Sequence, residues 1–178
     1  MFKKIVFLII LSLGLCADNY ANNLSVTSGE IKAHTEVFGD SEINPTTKDV
    51  KANLTIGNSL ESIKGQIFFD TLSLVSEKKD RDAHMYELLN EPKFKTISFD
   101  IKNIVKNGIN YDINGVLVLN GVSKDITVKS NITEQNNQIL FDGGFSFNLT
   151  DFNLEPPTMF FLTVRNQIDV TYKIDFKR

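Results

Sequence analysis

The sequence predicts an all-β protein whose strands close into an antiparallel barrel. Three observations predict this fold: apolar and polar residues alternate along most of the chain, the alternating runs are long, and turn residues separate them. Successive side chains of a strand point to opposite faces of a sheet, so alternation indicates strands with one apolar and one wet face. Such strands favour antiparallel pairing, because strands of parallel sheets are covered on both faces and read as continuous apolar runs.

The alternation is clearest in five runs, at 50–56, 97–101, 109–113, 145–149 and 168–176. Three of the strands extend further, over 93–105, 109–119 and 163–176, and each exceeds the usual strand length of about five or six residues. Both a sandwich and a barrel could be built from such strands. Long, tilted strands favour the barrel, because closure also removes exposed sheet edges.

Turn residues separate the strands. Asn120-Gly121 lies between two alternating runs and predicts a tight hairpin, and 107–108 and 134–138 predict further turns. Gly143-Gly144 lies inside a strand pattern, where glycine permits bending and close approach. We expect a bulge or a barrel corner there, with an ordinary turn as the alternative.

One segment, 80–89, predicts a short helix instead of a strand. Asp80 or Asp82 is suited to cap its N-terminus, where acidic side chains also favour the helix dipole. Met85, Leu88 and Leu89 share one face of this helix. Asn90 and Pro92 follow it and predict its end.

The first 21 residues predict a secretory signal peptide. A basic start at Lys3-Lys4 is followed by an apolar run over 5–15 and by the small residues Ala17 and Ala21, where we expect cleavage, Ala21 being preferred. The run is short for a membrane span, so the working protein is expected to be residues 22–178, periplasmic or secreted, with no stable span. Lipidation of Cys16 is the less favoured alternative because bulky Leu15 precedes it.

Composition narrows the functional classes. The net charge of the chain is −3 and no basic patch with interleaved aromatic residues occurs, which argues against nucleic acid as a partner. Cys16 is the only cysteine, and the sequence shows no metal-ligand, phosphate-loop or nucleophile-elbow motif, so we expect no metal, no cofactor and no catalytic residues. His34 is interpreted as a solvated strand residue and His84 as part of a hydrogen-bond network at the helix end.

Three stretches together resemble a known family. The segment 81–85, RDAHM, precedes a strand containing Ile97-Ser98-Phe99, and resembles the RDxHL…P-x-I-x-F signature of the YceI-like, or polyisoprenoid-binding, periplasmic proteins. The segment 111–124, YDINGVLVLNGVSK, resembles their Y-x-x-x-G-x-L-T-I-x-G-V-T-K segment. Phe145-x-Phe147 followed by 150–152, TDF, resembles their late strand and its turn, although Leu149-Thr150 replaces an arginine-serine pair and Asn153 replaces a glycine.

The resemblance implies an extended, lipocalin-like, eight-stranded antiparallel barrel with the helix near one mouth. It also implies an elongated apolar tunnel for a polyisoprenoid, a fatty acid or a fatty amide. Alternating positions and aromatic residues then give the expected ligand-binding residues: Val50, Leu54, Ile97, Phe99, Ile101, Tyr111, Ile113, Phe145, Phe147, Phe160, Phe161, Val170 and Tyr172. Phe160 and Phe161 are expected to close the mouth, Met85 and Leu88 to form a lid, and Tyr111 and Tyr172 to be the polar handles inside.

Three functions stay open at this point. The first is an exported binding protein that sequesters or carries a long-chain lipid without catalysis. The second is a protein-interaction barrel whose interior is filled by side chains, since an eight-stranded barrel can be either filled or hollow. The third and weakest is a hydrolase using His84 with Asp82. Some barrels of this kind pair, so a homodimer is open as well.

Overall fold

The computed structural model describes residues 21–37, 41–159 and 162–178. Except for Ala21, the expected signal peptide lies outside the described residues, and so do Phe160 and Phe161. The described residues form a closed antiparallel β-barrel with one α-helix. The fold class predicted from the sequence is therefore confirmed.

The strands vary from two to sixteen residues in length. In chain order they are β1 (Asn22–Val37), β2 (Ser41–Ile43), β3 (Thr46–Thr47), β4 (Lys51–Ile56), β5 (Lys64–Asp70), β6 (Thr96–Asn107), β7 (Asn110–Leu119), β8 (Val122–Gln135), β9 (Gln138–Asn148), β10 (Thr158–Met159), β11 (Leu162–Thr163) and β12 (Gln167–Lys177). The helix α1 spans Lys79–Leu88, and short 3₁₀ helices span Leu60–Ser62, Thr71–Ser73 and Leu149–Phe152.

Eight of the described strands form the barrel wall. Their order is β1-β4-β5-β6-β7-β8-β9-β12, and β12 pairs with β1 to close the circle. Every pairing in this ring is antiparallel. The short strands β2 and β3 pair with β1, and β10 pairs with β11.

Two predicted strands begin later than the sequence indicated. The strand expected over 93–105 begins at Thr96, because the Lys93 and Phe94 N–H groups donate to the carbonyl of Asn90 after the helix. The strand expected over 163–176 begins at Gln167, because the preceding residues are held by β1: the Arg165 N–H donates to the Glu36 carbonyl.

The hairpin turns match the predicted positions. Asn120 and Gly121 both have positive φ, 50° and 70°, as the two central residues of a type I′ turn require. Asn136 and Asn137, with φ of 52° and 63°, form the same kind of turn between β8 and β9. Asparagine tolerates this left-handed region better than most residues, which explains a turn without glycine.

The glycine pair in β9 lies inside a continuous strand and forms neither a bulge nor a turn. Gly143 and Gly144 keep an unbroken register with β12, opposite Tyr172 and Thr171. Pairing with β8 ends at Gly144, which lies opposite Lys129. Beyond Gly144, β9 therefore stays paired with β12 but no longer with β8, and the barrel corner expected there stays a prediction.

The two ends of the barrel differ. One end carries the turns at Gly108 and Asn136-Asn137 and the 3₁₀ helix Leu60–Ser62; we call it the closed end. Its interior is packed solid by fully buried side chains, and the Phe141 and Phe176 rings meet edge to face at 5.2 Å. The opposite end, which we call the mouth, carries α1, the Asn120-Gly121 turn and the segments 149–159 and 162–166. No helix in the described ranges has the length and apolar character that a membrane crossing would need.

Candidate functional site

The barrel interior is hollow between the packed closed end and the mouth. The cavity has a volume of about 1250 Å³, larger than the roughly 300–1,000 Å³ of ordinary small-molecule sites. Inward-facing apolar side chains from seven wall strands form most of its wall: Ile31, Ile67, Phe69, Ile97, Phe99, Ile101, Ile113, Leu117, Val128, Phe141, Phe145, Phe147, Ile168, Val170 and Ile174. The filled interior of the second hypothesis is therefore not observed in the described barrel.

Most of the expected binding residues meet at this cavity. The structure places Ile97, Phe99, Ile101, Ile113, Phe145, Phe147, Val170 and Tyr172 in its wall, and Met85 and Leu88 at its mouth. They converge because the period of two that identified each strand also directs every second side chain inward. Their contact with a ligand stays a prediction.

Three expected residues do not line the cavity. Leu54 and Tyr111 lie in the packed core at the closed end, 2% and 7% exposed. Val50 is 7% exposed and packs in the same buried cluster, where a Cβ added to Gly29 would stand 2.9 Å from the Cβ of Val50. The expectation was wrong for these residues because alternation identifies the inward face of a strand but not the depth along the barrel. Phe160 and Phe161, expected to close the mouth, lie outside the described residues.

The sequence argument missed several wall residues. Leu117 continues the alternation of Tyr111 and Ile113, so extending that run along β7 would have found it. Ile67 and Phe69 face inward from β5, but the adjacent Phe68 hides their alternation in the sequence.

Aromatic rings stiffen one side of the cavity. Phe145 and Phe147 stack with centroids 6.2 Å apart, and Phe147 meets Phe152 edge to face at 5.2 Å. Phe152 is 1% exposed and forms the buried end of this series of three rings. Such pairs add stability beyond the burial of their area, so this side of the wall is preorganised.

The helix α1 lies across the mouth. Met85, Leu88 and Leu89 all face the cavity, as their spacing predicted. Tyr86 attaches the helix to the wall: its hydroxyl donates to the Leu74 carbonyl oxygen at 2.8 Å, with the Leu72 carbonyl oxygen at 3.1 Å. Burial raises the pKa of this hydroxyl.

The predicted helix cap is wrong in detail. The N-cap position is Lys78, and no side chain caps the helix there. Asp80 and Asp82 lie within the first turn. The Asp82 carboxylate, 7% exposed, accepts instead from the Ser76 N–H at 2.8 Å and so fixes the segment that leads into the helix.

The two histidines lie at the rim. His34 is half-buried, with its Nδ1 2.7 Å from Asn44 Oδ1 and its Nε2 3.3 Å from Glu36 Oε1. These hydrogen bonds, that to Asn44 first, raise the pKa of His34. His84 is exposed, and the network expected around it is not observed among the described residues, where Asp82 is bound to Ser76.

Charge is confined to the mouth. The Lys, Arg, Asp, Glu and His residues of the described lining lie on or beside α1, apart from His34 on β1. The uncharged polar residues of the described lining are Thr35, Ser76, Ser98 and Tyr172, and the hydroxyl oxygen of Tyr172 is buried. Burial raises the pKa of Tyr172 to about 12. The described residues hold no cluster of three metal-ligating side chains.

The arrangement of barrel, helix and cavity has known counterparts. A family model described as the YceI-like domain matches residues 23–176. The chain belongs to the YceI-like family.

Relatives of this YceI-like chain include UPF0312 proteins of Yersinia pestis and Yersinia enterocolitica. Each is 32% identical over 99 residues, which are 51% of this chain and 52% of the relative. The matched region thus spans about half the length of these curated relatives.

Solved structures share the YceI-like fold. Burkholderia cenocepacia BcnA superposes with a TM-score of 0.73 at 14% identity, covering 83% of this chain and 95% of BcnA. A polyisoprenoid binding domain from Saccharophagus degradans, implicated in plant cell wall breakdown, has a TM-score of 0.65 at 12% identity, covering 86% and 97%. The Campylobacter jejuni YceI protein has a TM-score of 0.66 at 18% identity, covering 79% and 88%.

The YceI-like motif residues shape the mouth. Gly121 adopts φ +70°, and a Cβ there would stand 2.4 Å from the Phe94 ring. Asn120 donates through Nδ2 to the Phe152 carbonyl at 3.1 Å and so ties the β7–β8 turn to the segment after β9. Asn153, which stands where the family pattern has glycine, adopts the left-handed backbone region with φ 57°.

Proposed function

We propose that this YceI-like protein is exported and holds a long-chain amphiphilic lipid in its barrel, as a carrier or a sequestering protein. A polyisoprenoid, a fatty acid or a fatty amide fits the proposal. The observation that carries it is the cavity of about 1250 Å³, apolar along its depth and charged at its mouth. The signal-peptide pattern that the first 21 residues predict supports export, and the similarity to a polyisoprenoid binding domain supports the ligand class.

The energetics of an apolar chain are adequate for such binding. Each buried CH₂ contributes about 0.8 kcal/mol, so a chain of about 15 carbons gains on the order of 12 kcal/mol. Ordering the chain and losing its free motion cost several kcal/mol. Micromolar affinity requires about 8 kcal/mol. Burial of the lipid's carbon chain alone therefore suffices for micromolar affinity. The polar headgroup needs only to remain near water at the mouth.

Charged substitutions in the wall test this proposal. Phe99→Glu and Phe147→Glu each place a carboxylate in the proposed chain site, where an uncompensated charge is strongly unfavourable. Val118→Glu is the matched control: it lies on β7, faces away from the cavity and pairs with Ser98 and Ser123. Binding is measured by displacement of a fluorescent fatty acid.

We expect both wall variants to lose binding at least tenfold while the control binds as the wild type does. Circular dichroism and thermal unfolding establish which variants are folded. Folded wall variants with unchanged affinity would contradict the proposal. If neither wall variant folds, Ile97→Asn, a smaller polar change in the same wall, replaces them under the same criterion.

A further inference from the structure

One stretch of the barrel wall near the mouth is not joined by backbone pairing. The β8–β9 ladder begins at the turn that joins the two strands and ends where Lys129 lies opposite Gly144. Beyond this point β8 extends over 122–128, paired with β7 alone, and β9 extends over 145–148, paired with β12 alone. We call the interval between these two segments the seam.

The backbone of β8 is open along the seam. The two-residue turn at 136–137 makes its flanking residues a bonded pair, so the odd-numbered residues of β8 direct their backbone groups toward β9. Ser123, Asp125 and Thr127 therefore face the seam, and the described residues offer their N–H and carbonyl groups no backbone partner there. All three residues are exposed, so water is the partner left to these groups.

A second interruption of pairing, between β1 and β4, is different. Pairing resumes there in the same register where Ile31 lies opposite Thr47 on β3. A Cβ on Gly29 would stand 2.9 Å from the Cβ of Val50, so the two sides of that interval stay in contact. At the seam the pairing does not resume, because β9 is followed by the 3₁₀ helix Leu149–Phe152.

Apolar side chains, instead of backbone bonds, separate the cavity from solvent at the seam. Val122 and Ile126 on β8 are half-buried, as are Phe145 and Phe147 on β9, and all four pack against one cluster. The two Phe side chains also line the cavity. An apolar chain that passes between the β8 and β9 side chains would therefore break no backbone hydrogen bond.

Lys124 lies on the inward face of β8 and is nevertheless exposed. It pairs directly with Leu117, a residue of the cavity wall, so the two side chains are on the same face. Its exposure indicates that solvent reaches the inward face of β8 at the seam. The lysines that form ion pairs in the described ranges are Lys48, Lys51 and Lys102, so the ammonium group of Lys124 is free.

A free ammonium group beside an apolar opening matches an anionic amphiphile. The adjacent acid, Asp125, does not neutralise Lys124, because its carboxylate accepts from Lys102 Nζ at 2.5 Å. An anionic headgroup at Lys124 would keep its contact with water and avoid the cost of burial in the cavity. A neutral headgroup would gain no charge attraction there. The seam therefore favours a carboxylate or a phosphate.

We propose that the seam is a side opening through which the lipid chain enters the cavity, and that Lys124 pairs there with an anionic headgroup. This inference rests on the proposed function and makes its ligand class narrower: a fatty acid or a polyisoprenoid phosphate in preference to a fatty amide. The headgroup then lies beside β8 instead of beneath α1.

Lys124→Gln tests the inference, because it removes the charge and keeps most of the length of the side chain. Lys129→Gln is the matched control, since Lys129 is an exposed lysine of the same strand, on the outward face and beyond the end of the seam. The probes are octadecanoic acid and octadecan-1-ol. Affinities are measured at low ionic strength by displacement of a fluorescent fatty acid, whose own affinity is determined for each variant.

We expect octadecanoic acid to bind Lys124→Gln about twofold to fivefold more weakly than wild type, as loss of an exposed charge pair implies. The difference should shrink at high salt. Octadecan-1-ol should bind both proteins equally, and Lys129→Gln should change neither affinity. If Lys124→Gln binds octadecanoic acid as the wild type does, the lysine only protects the open edge of β8 from pairing with other chains, and the inference is overturned.

A second measurement locates the headgroup directly. Ser123→Cys places a thiol at the seam, and Glu87→Cys places one on α1 at the mouth; both positions are exposed. The probe is octadecyl methanethiosulfonate, in which the thiol-reactive group takes the place of the headgroup, and each rate is divided by that of methyl methanethiosulfonate. We expect the normalised rate to be severalfold higher at Ser123→Cys. A higher rate at Glu87→Cys would overturn the inference.

Failure of the proposed function has a different signature. In that case neither octadecanoic acid nor octadecan-1-ol would bind the wild type. Failure of the inference alone leaves both probes bound and removes only the effect of Lys124 and the preference for the thiol at the seam.

Discussion

The ring of Phe99 lies directly over Gly115 on the neighbouring strand inside the barrel. A Cβ on Gly115 would stand 2.4 Å from Phe99 Cζ and 2.5 Å from the Asp100 carbonyl oxygen. The absence of a side chain at Gly115 thus determines where an aromatic ring of the cavity wall can lie. The same relationship connects Tyr172 with Gly143, so two glycines inside the barrel position two rings of the wall.

Gly115→Ala is expected to destabilise the fold by about 1–3 kcal/mol, because the added methyl group overlaps both the Phe99 ring and a backbone carbonyl that cannot move freely. Urea denaturation followed by circular dichroism measures the change. Gly57→Ala is the control, since its Cβ would meet the Ser62 side chain, with the hydroxyl oxygen at 3.2 Å and the Cβ at 3.5 Å, and no backbone atom within 4 Å. Equal unfolding midpoints for the two variants would contradict this account of Gly115.

Tyr86→Phe is expected to loosen the helix at the mouth. It removes the hydroxyl that donates to the Leu74 carbonyl oxygen at 2.8 Å, a bond worth about 0.5–1.5 kcal/mol. Hydrogen exchange of the α1 amides should become severalfold faster while the barrel strands keep their protection. His84→Ala changes an exposed residue of the same helix and should leave the exchange unchanged. Identical exchange in Tyr86→Phe and wild type would show that this bond does not hold the helix.

Acid stability is expected to depend on Asp169. Hydrogen bonds from Ser146, Arg165 and Gln167, that of Ser146 first, lower the pKa of Asp169 from 3.8 to about 2. Because the folded pKa lies below the unfolded pKa, the stabilisation is complete above pH 3.8 and is lost as the pH falls toward 2. The carboxylate is 36% exposed, so the effect is modest.

The measurement is urea unfolding of wild type and Asp169→Asn over the acid range. The wild type should be the more stable protein near neutral pH, and the difference should shrink as the pH approaches 2. A difference that stays constant with pH would mean that the side-chain geometry, and not the charge of Asp169, supplies the stabilisation. Asp151→Asn controls for the loss of one acidic residue elsewhere.

Export is tested by the mass of the mature protein. Cleavage after Ala21 gives a chain that begins at Asn22 and contains no cysteine. Intact-mass spectrometry of the protein recovered from the periplasm or medium of a Gram-negative host should give this mass. Cleavage after Ala17 would shift the site by four residues but retain export. A mass that includes Met1 or a lipid on Cys16 would contradict the predicted processing.

The sequence predicted the fold well because local rules act at each strand. Alternation along each strand directs the apolar side chains to one face of the sheet. The type of turn at Asn120-Gly121 determines the register between β7 and β8, the two strands that it joins. Asn153, which stands where the family pattern has glycine, adopts a left-handed backbone that asparagine tolerates better than most residues.

The site was predicted less completely, because its limits depend on packing between distant strands. Leu54 and Phe99 both belong to inward-facing sets, yet Leu54 is packed at the closed end and Phe99 lines the cavity. The depth of a residue along the barrel axis is set only by the pairing register of all the strands around the barrel. Likewise, the Asp82–Ser76 hydrogen bond that replaces the predicted cap depends on the path of the chain before the helix.

The central claim is that the hollow barrel holds a lipid, and the most direct test is mass spectrometry of an organic extract of the purified, exported protein. We predict one long-chain amphiphile in near-stoichiometric amount, and its loss from the Phe147→Glu variant. An extract without lipid, from a folded protein that also fails to displace a fluorescent fatty acid, would contradict the claim.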